Sequence, residues 1–366
     1  MVFSKERVMK WSAEKKDPLI YITALAMVFA FDSYITHRNY EDVVENINLL
    51  IKSSIYQKQV LESVAFQQSQ SIVSEVIGEY VKPKFKQLHK NLDENSKKVI
   101  DYVEKSVVNY PIKRICKFEN LDLQFPEHHQ QYKKDWEREV CKEISERYNL
   151  DGDRIAPEIF YFHHGLRFAN EKIKNYIRDK DILDCGAYIG DSVLVLKDYT
   201  DKTIFCYEFY KPCIEKFQKI MKLNGVTSGY ELIPVALGES TKVTREDAES
   251  LVVCLPENKP KNSTNDIINM TTIDEEAKNH KFKVGFIKVD VEGNGLKVIK
   301  GAINTIKKQR PVLSLAVYHN REELFETKPF LEKNLKDYIF EFHLQQFDES
   351  DMNELILFCY PKELRE

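Results

Sequence analysis

Residues 181–197 constrain the fold more than any other stretch of the chain. Asp181, Ile182 and Leu183 form a short apolar run, and Asp184-Cys185-Gly186-Ala187-Tyr188-Ile189-Gly190-Asp191 follows as a glycine-bearing turn. Ser192-Val193-Leu194-Val195-Leu196 then continues as a helix. A strand, a tight turn and a helix N-terminus in this order make a cradle for a nucleotide-type cofactor. Gly186 allows the turn, Gly190 permits close approach of backbone and ligand, and the free N–H groups of the first helical turn face the ligand. Glu208 closes the next apolar run, Thr203-Ile204-Phe205-Cys206-Tyr207, where an acidic side chain holds a ribose diol.

From about Asp151 onward short strands and helices alternate. Strands are expected at Ile182–Cys185, Ile204–Glu208, Glu231–Val235, Leu251–Cys254, Phe286–Asp290 and Val312–Val317. Helices are expected at Ser192–Lys197, Pro212–Leu223, Leu296–Lys308 and Arg321–Leu335. Tyr338–Leu344 and Glu354–Tyr360 lie too close together for a crossover, so they read as an antiparallel final pair. The expected fold class is α/β, a Rossmann-like, mostly parallel sheet with an antiparallel last strand, preceded by an α-helical N-terminal region.

That N-terminal region spans residues 1–150 and contains one glycine, Gly78, against eleven in the remainder. Val43, Ile47, Leu50, Ile51 and Ile55 recur at helical spacing, as do Ile72, Val73, Val76, Ile77 and Tyr80. Ile100, Val103, Val107 and Val108 repeat the pattern after the polar turn 91–96, so at least four amphipathic helices are expected. They serve as a bundle, as a homo-oligomer interface or as a cover for the acceptor site. Residues 151–366 form the cofactor-binding domain. The apolar run Leu19 to Phe31 is shorter than the roughly twenty residues that span a bilayer, and a core helix is expected there.

A net charge of −4, with Lys and Arg interleaved among Asp and Glu, argues against a nucleic-acid partner. Seven scattered cysteines without C-x-x-C spacing point to free thiols and a reducing, cytoplasmic setting. At the position of the second glycine in a dinucleotide site stands Tyr188, whose ring crowds a pyrophosphate. An NAD-dependent oxidoreductase is therefore the weaker alternative.

Further segments extend the pattern. Val235-Ala236-Leu237-Gly238 follows the third strand, Thr271-Thr272-Ile273-Asp274 comes next, and Phe286-Ile287-Lys288-Val289-Asp290-Val291-Glu292-Gly293 runs on to Gly301-Ala302. Arg310-Pro311-Val312 continues to Tyr318-His319. With the glycine turn and Tyr207-Glu208, these resemble the FkbM family of methyltransferases dependent on S-adenosylmethionine (SAM), over roughly residues 158–360. The resemblance implies methyl transfer to a hydroxyl of a sugar, a glycan or a related polar metabolite. It implies that Asp184 and Gly186 hold the methionine part of SAM and that Ala187 and Gly190 give close backbone approach. Glu208 would bind the ribose hydroxyls, Ala236 and Leu237 would flank the adenine, Tyr188, Asp191, Ser192 and Phe209 would also bind the cofactor, and Asp290 would lie where donor and acceptor meet. One departure stands out: the family often reads Glu-Gly-x-Glu, whereas Glu292-Gly293-Asn294-Gly295 has glycine last.

Methyl transfer to an alcohol needs an in-line arrangement and a general base. His319 is the first candidate base, with Asp290 and Glu292 behind it. Glu292 also qualifies as a cap for the following helix. The same three offer hard ligands for Mg²⁺, which the missing Asp-Asp or His-x-x-x-H spacing does not favour. His163 and His164 stand either at the acceptor entrance or as packing under the domain's first helix. A SAM-binding scaffold without turnover is the alternative from another functional class.

Overall fold

The computed structural model of the protein describes residues 81–116, 125–137, 141–241, 269–347 and 354–365, apart from the side chains of 108–116 and 141. Two compact units are present. The first takes in the chain up to Lys90, Lys97–Pro126 and Glu349–Met352; the second is Asn91–Ser96, Glu127–Asp348 and Asn353–Glu366.

In the first unit Val81, Phe85 and Leu88 are buried at helical spacing, as are Val99, Ile100, Val103 and Val107. The helix Glu94–Cys116 starts where the polar turn was expected: Asp93 Oδ1 accepts from the N–H groups of Asn95 and Ser96, an N-cap. The stretches expected to be helical at 43–55 and 72–80, and the run at 19–31, lie outside the described residues. Among the described residues no helix is long and apolar enough to cross a membrane.

Among the described residues of the second unit are nine strands. They are β1 (Asp181–Cys185), β2 (Ile204–Tyr207), β3 (Tyr230–Ile233), β4 (Ala236–Leu237) and β5 (Met270–Thr271). β6 (Val284–Val289), β7 (Val312–Ala316), β8 (Tyr338–Leu344) and β9 (Leu355–Pro361) complete them. Seven form one sheet in the order β3-β2-β1-β6-β7-β9-β8, while β4 and β5 pair separately. Every pairing is parallel except those of β9, which runs antiparallel to both β7 and β8. The one reversed strand is thus the last, as expected.

β2, β6, β7 and β9 are buried along their whole length, and β1 beyond its first residue, matching their nearly unbroken apolar sequences. The edge strand β8 alternates instead, with Phe340, Phe342 and Leu344 turned inward. After β3 the chain returns to the far side of β1, so strand order reverses between β1 and β6. In open α/β sheets the crevice lies outside the carboxyl ends of the strands at such a point. The glycine turn after β1, Glu208 after β2 and Asp290 after β6 therefore converge.

The single helix expected at Leu296–Lys308 is two, Gly295–Lys300 and Ile303–Gln309. Gly301 breaks it because the backbone after β4 crosses there: a Cβ on Gly301 would sit 2.1 Å from the Gly238 carbonyl oxygen. Asp274 then restarts the helix by accepting from the N–H groups of Asn304 and Thr305. The unforeseen helix Ile273–His280 begins at Thr272, whose side chain accepts from Glu275 N–H, a capping pattern present in Thr272-x-x-Glu275. The strand expected at 251–254 lies outside the described residues.

Candidate active site

The turn after β1 is held from three sides. The N–H groups of Gly186 and Ala187 both donate to the Tyr207 carbonyl oxygen at 3.0 Å, tying the turn to the end of β2. Lys288 Nζ donates to the Gly186 carbonyl oxygen at 2.7 Å and forms a buried ion pair with Asp184 at 3.1 Å. Burial opposes the Lys288 charge, but Asp184 and then Asp290 keep the ammonium protonated. Gly186 has φ +82, and a Cβ there would lie 1.8 Å from the Asp290 carbonyl oxygen. The two loops touch so closely that only glycine fits.

Gly190 has a different reason from the one expected. Its φ is +82, and a Cβ would meet the Phe217 ring at 2.7 Å, so glycine is required by the helix Lys211–Leu223 behind the turn. Glu208 is pinned by backbone donors: Tyr210 N–H to Oε1 at 2.7 Å and Tyr188 N–H to Oε2 at 3.1 Å. Each oxygen keeps a lone pair for a ligand hydroxyl.

These elements surround a cavity of ≈ 560 Å³. Gly186, Tyr188, Asp191, Ser192, Glu208, Phe209, Ala236, Leu237, Asp290 and Glu292 all line it, beside Lys288. Asp184, Ala187, Gly190 and His319 do not reach its wall. Asp184 lies beneath, spent on Lys288. The Tyr188 ring, 53% exposed, sits at the rim on a left-handed backbone of φ 46. His164, Glu292 and Glu354 share that conformation at φ 52, 52 and 61. Four non-glycine residues of this kind on one wall store strain of order 1–3 kcal/mol each, as functional sites commonly do. Tyr207 adds a hydroxyl that is buried and has no partner, although the residue faces the cavity.

His319, the first candidate base, sits among carboxylates. His319 is 3% exposed and enclosed by carboxylates: Nδ1 donates to Glu323 Oε2 at 2.9 Å, while Nε2 is 3.3 Å from Asp290 Oδ1 and 3.6 Å from Glu292 Oε2. Burial opposes its charge, but Asp290 and Glu323 raise its pKa well above the usual value. Burial likewise opposes the charge on Asp290, yet His319 and Lys288 bring its carboxyl below the usual range. At the start of the next helix, Glu323 Oε1 accepts from Gly295 N–H at 2.7 Å. A Cβ on Gly295 would lie 2.8 Å from that same oxygen. A carboxylate from Glu323 thus lies against Gly295, in space that a side chain at 295 would occupy.

Because the folded-state pKa of His319 is raised, its stabilisation is complete below the unfolded value of about 6.5 and is lost as pH rises through the raised value. Asp290 acts at the other end, contributing above the unfolded carboxyl value near 4 and failing as pH falls through its depressed one. Nitrogen-resolved NMR should find His319 still doubly protonated at about pH 8, where an ordinary histidine is neutral. A neutral His319 ring at that pH would contradict this arrangement.

Two further wall residues, Glu158 and Glu354, come from segments the sequence reading did not single out for chemistry, beside His164 and Asp191, which it did. Glu158, in the short helix Pro157–Phe160, pairs through Oε1 with Arg154 at 3.3 Å, and its Oε2 has no partner. Burial raises the Glu158 pKa, and Asp290 adds to the shift. Glu354 accepts from the Tyr318 hydroxyl at 3.0 Å and is also raised by burial. His164 Nε2 is 2.8 Å from Ser192 Oγ; burial, then Lys288, pushes its pKa down to about 3, so the ring is neutral. Burial pushes Asp191 up to about 7. Among the described residues, the His/Asp/Glu trio whose ligand atoms approach within 4.8 Å is His89, Asp101 and Glu104 of the first unit. Asp290, Glu292 and His319 are joined as ion pairs instead.

A strand-order switch with a glycine turn, a carboxylate at the end of β2 and a reversed final strand define a Rossmann-like domain of the methyltransferase type. Residues 184–356 match the model of the methyltransferase FkbM domain. Solved structures similar to the chain include a methyltransferase FkbM from Methylobacillus flagellatus KT, 17% identical with a TM-score of 0.48. That match covers 77% of this chain and 60% of the other, so the chain spans less than two thirds of its relative. An rRNA methylase from Streptococcus thermophilus is 9% identical, covering 57% of this chain and 99% of that one, with a TM-score of 0.33. A methyltransferase from Streptococcus mutans in complex with SAH is 8% identical, covering 51% and 94%, with a TM-score of 0.31. No curated protein sequence matches the chain.

Proposed function

We propose that the cavity binds SAM and that the domain transfers its methyl group to a hydroxyl of a sugar, glycan or related polar metabolite. The observation that carries this is one ≈ 560 Å³ cavity with a ribose-type carboxylate, Glu208, at the β2 end and two unequal carboxylates, Glu158 and Asp290, in the same wall. The residues suit the cofactor. Glu208 has lone pairs for two hydroxyls, the Tyr207 hydroxyl lacks a partner, and Val235, Ala236, Leu237 and Phe209 offer an apolar slot for a base. The turn at Gly186 and Ala187, with Asp191 and Ser192, would face the methionine part, and Asp184 would support it through Lys288. SAM supplies an electrophilic methyl group on a sulfonium.

The chain's own groups divide the remaining work. Asp290, held ionised by His319, orients the acceptor hydroxyl. Glu158, whose pKa is raised by burial, takes the hydroxyl proton as the oxygen–methyl bond forms and the sulfur–methyl bond breaks. Carboxyl groups pushed in opposite directions by their surroundings mark such a division of roles. His319 is a positioning residue, fixing Asp290 from behind. Asp153, Glu158, Asp290, Glu292 and Glu354 on the wall disfavour an anionic acceptor.

Methyl-labelled SAM offered with a panel of sugars and glycans tests the reading. Label recovered as a methyl ether supports it; label found only on nitrogen, or in no product, contradicts it. Glu158→Gln should lower turnover roughly 10²–10⁴-fold while leaving affinity for S-adenosylhomocysteine unchanged. Full turnover in that variant would remove Glu158 from the base role.

A further inference from the structure

A second polar, aromatic-walled cavity lies along β8, outside the methyl-transfer cleft. It has a volume of ≈ 180 Å³, and its walls include Tyr132, Phe168, Phe342, Glu341, His343 and Gln345. Next to it is a cavity of ≈ 320 Å³ that shares Gly165, Phe168, Glu341 and His343, so the Phe168 ring stands between the two. That ring is 45% exposed, an unusual cost for a phenyl group, and lies flat against Tyr132 with centroids 4.5 Å apart and planes at 18°.

The decisive observation is Gln345. It is 1% exposed, it faces the cavity, and neither Nε2 nor Oε1 of its carboxamide has a partner. A buried amide left unsatisfied costs about 1–3 kcal/mol, so such a group in a native fold calls for a water or a ligand. A carboxamide both donates and accepts, as a hydroxyl does, and neighbouring hydroxyls on one ring can meet both of its ends. Glu341 stands on the same wall, accepting from the Tyr360 hydroxyl through Oε1 and lying 3.3 Å from His343 Nε2 through Oε2, with lone pairs to spare. Asp93 also faces the cavity, accepting from Asn95, Ser96 and the Ser96 hydroxyl. Two carboxylates oppose a phosphate or other anion.

A flat pair of rings beside amide and carboxylate acceptors suits one ligand chemistry: an uncharged polyhydroxylated ring. Its C–H face packs on the aromatic surface, and its hydroxyls meet the polar wall. We infer that the Phe168–Gln345 cavity is a saccharide-binding site distinct from the cleft where methyl transfer takes place. The chain links the two. His163, His164 and Gly165 are consecutive left-handed residues at φ 49, 52 and 90; His164 lines the methyl-transfer cleft and Gly165 the saccharide site. A Cβ on Gly165 would meet the Phe358 ring at 2.8 Å, so this kink is fixed by packing. That the bound ring is a second unit of the methyl acceptor rests on the function proposed above; the site itself rests on its own walls.

Ligand-observed NMR on the full chain, with neutral mono- and disaccharides at millimolar concentration, tests the inference. Titration with S-adenosylhomocysteine runs in parallel. At least one neutral sugar should bind, and both Gln345→Leu and the surface variant Phe168→Ala should weaken it about tenfold or more while affinity for S-adenosylhomocysteine is unchanged. Phe168→Ala keeps the test open should Gln345→Leu fail to fold. No binding by any sugar, or binding indifferent to Phe168→Ala, overturns the site and assigns the Gln345 cavity to water; binding only of nucleosides overturns the saccharide class. Failure to bind S-adenosylhomocysteine instead removes the proposed cofactor and leaves the saccharide site standing.

Discussion

Gly186→Ala should abolish cofactor binding. The added Cβ would lie 1.8 Å from the Asp290 carbonyl oxygen, a backbone atom that cannot swing away. β1 and β6 would have to part at the strand-order switch, where Asp290 N–H donates to the Cys185 carbonyl oxygen at 3.0 Å. The left-handed backbone adds about 1–2 kcal/mol for any residue with a Cβ. With overpacking included, the total loss of stability should be roughly 2–5 kcal/mol. Gly225→Ala is the control, because Gly225 has φ +65 with open space around it and should cost only about 1–2 kcal/mol. Thermal melts and calorimetric titration of the two variants check the contrast. Equal behaviour would mean that the contact between the two loops is not what requires glycine.

Lys288→Met should destabilise the domain by about 3–5 kcal/mol, the scale for removing one partner of a buried ion pair. Asp184 is fully buried, and loss of the ammonium strands its carboxylate without the 3.1 Å pairing. The Gly186 carbonyl loses its donor at the same time. Asp184→Leu combined with Lys288→Met should recover most of the stability, since well-packed apolar pairs often match a buried ion pair. Cofactor affinity should not recover, because the turn still lacks its anchor. Denaturant unfolding of the single and double variants measures the first effect, and titration the second. A single variant as stable as the wild type would show that Lys288 is not the post on which the turn rests.

Local signals carried much of the fold. The apolar runs of β1, β2, β6 and β7 needed no tertiary context, because strands buried on both faces are written as unbroken apolar sequence. The turn at 184–191 and Glu208 were legible for a related reason: their spacing fixes a strand, a turn and a helix that must meet at one end of the sheet. What escaped was set by contacts distant in sequence. Glu158 lies 26 residues ahead of Asp184, with no spacing that points from the one to the other. Gly190 was read as clearance for a ligand, whereas the Phe217 ring demands it. The contact of Glu323, one helical turn on, with the Nδ1 of His319 was not legible either. Glycine at 295 hid a carboxylate that arrives from Glu323.

Calorimetric titration of the wild-type protein with S-adenosylhomocysteine, beside Glu208→Ala and with NAD as comparison, tests the central claim most directly. Saturable binding is expected for the wild type, with stability raised by about 2.7 kcal/mol at a hundredfold excess over Kd. Glu208→Ala should weaken binding by roughly 1.5–3 kcal/mol, the scale of hydrogen bonds to a charged group. Folded protein that ignores S-adenosylhomocysteine, or that binds NAD in its place, would contradict the assignment of this cavity to SAM.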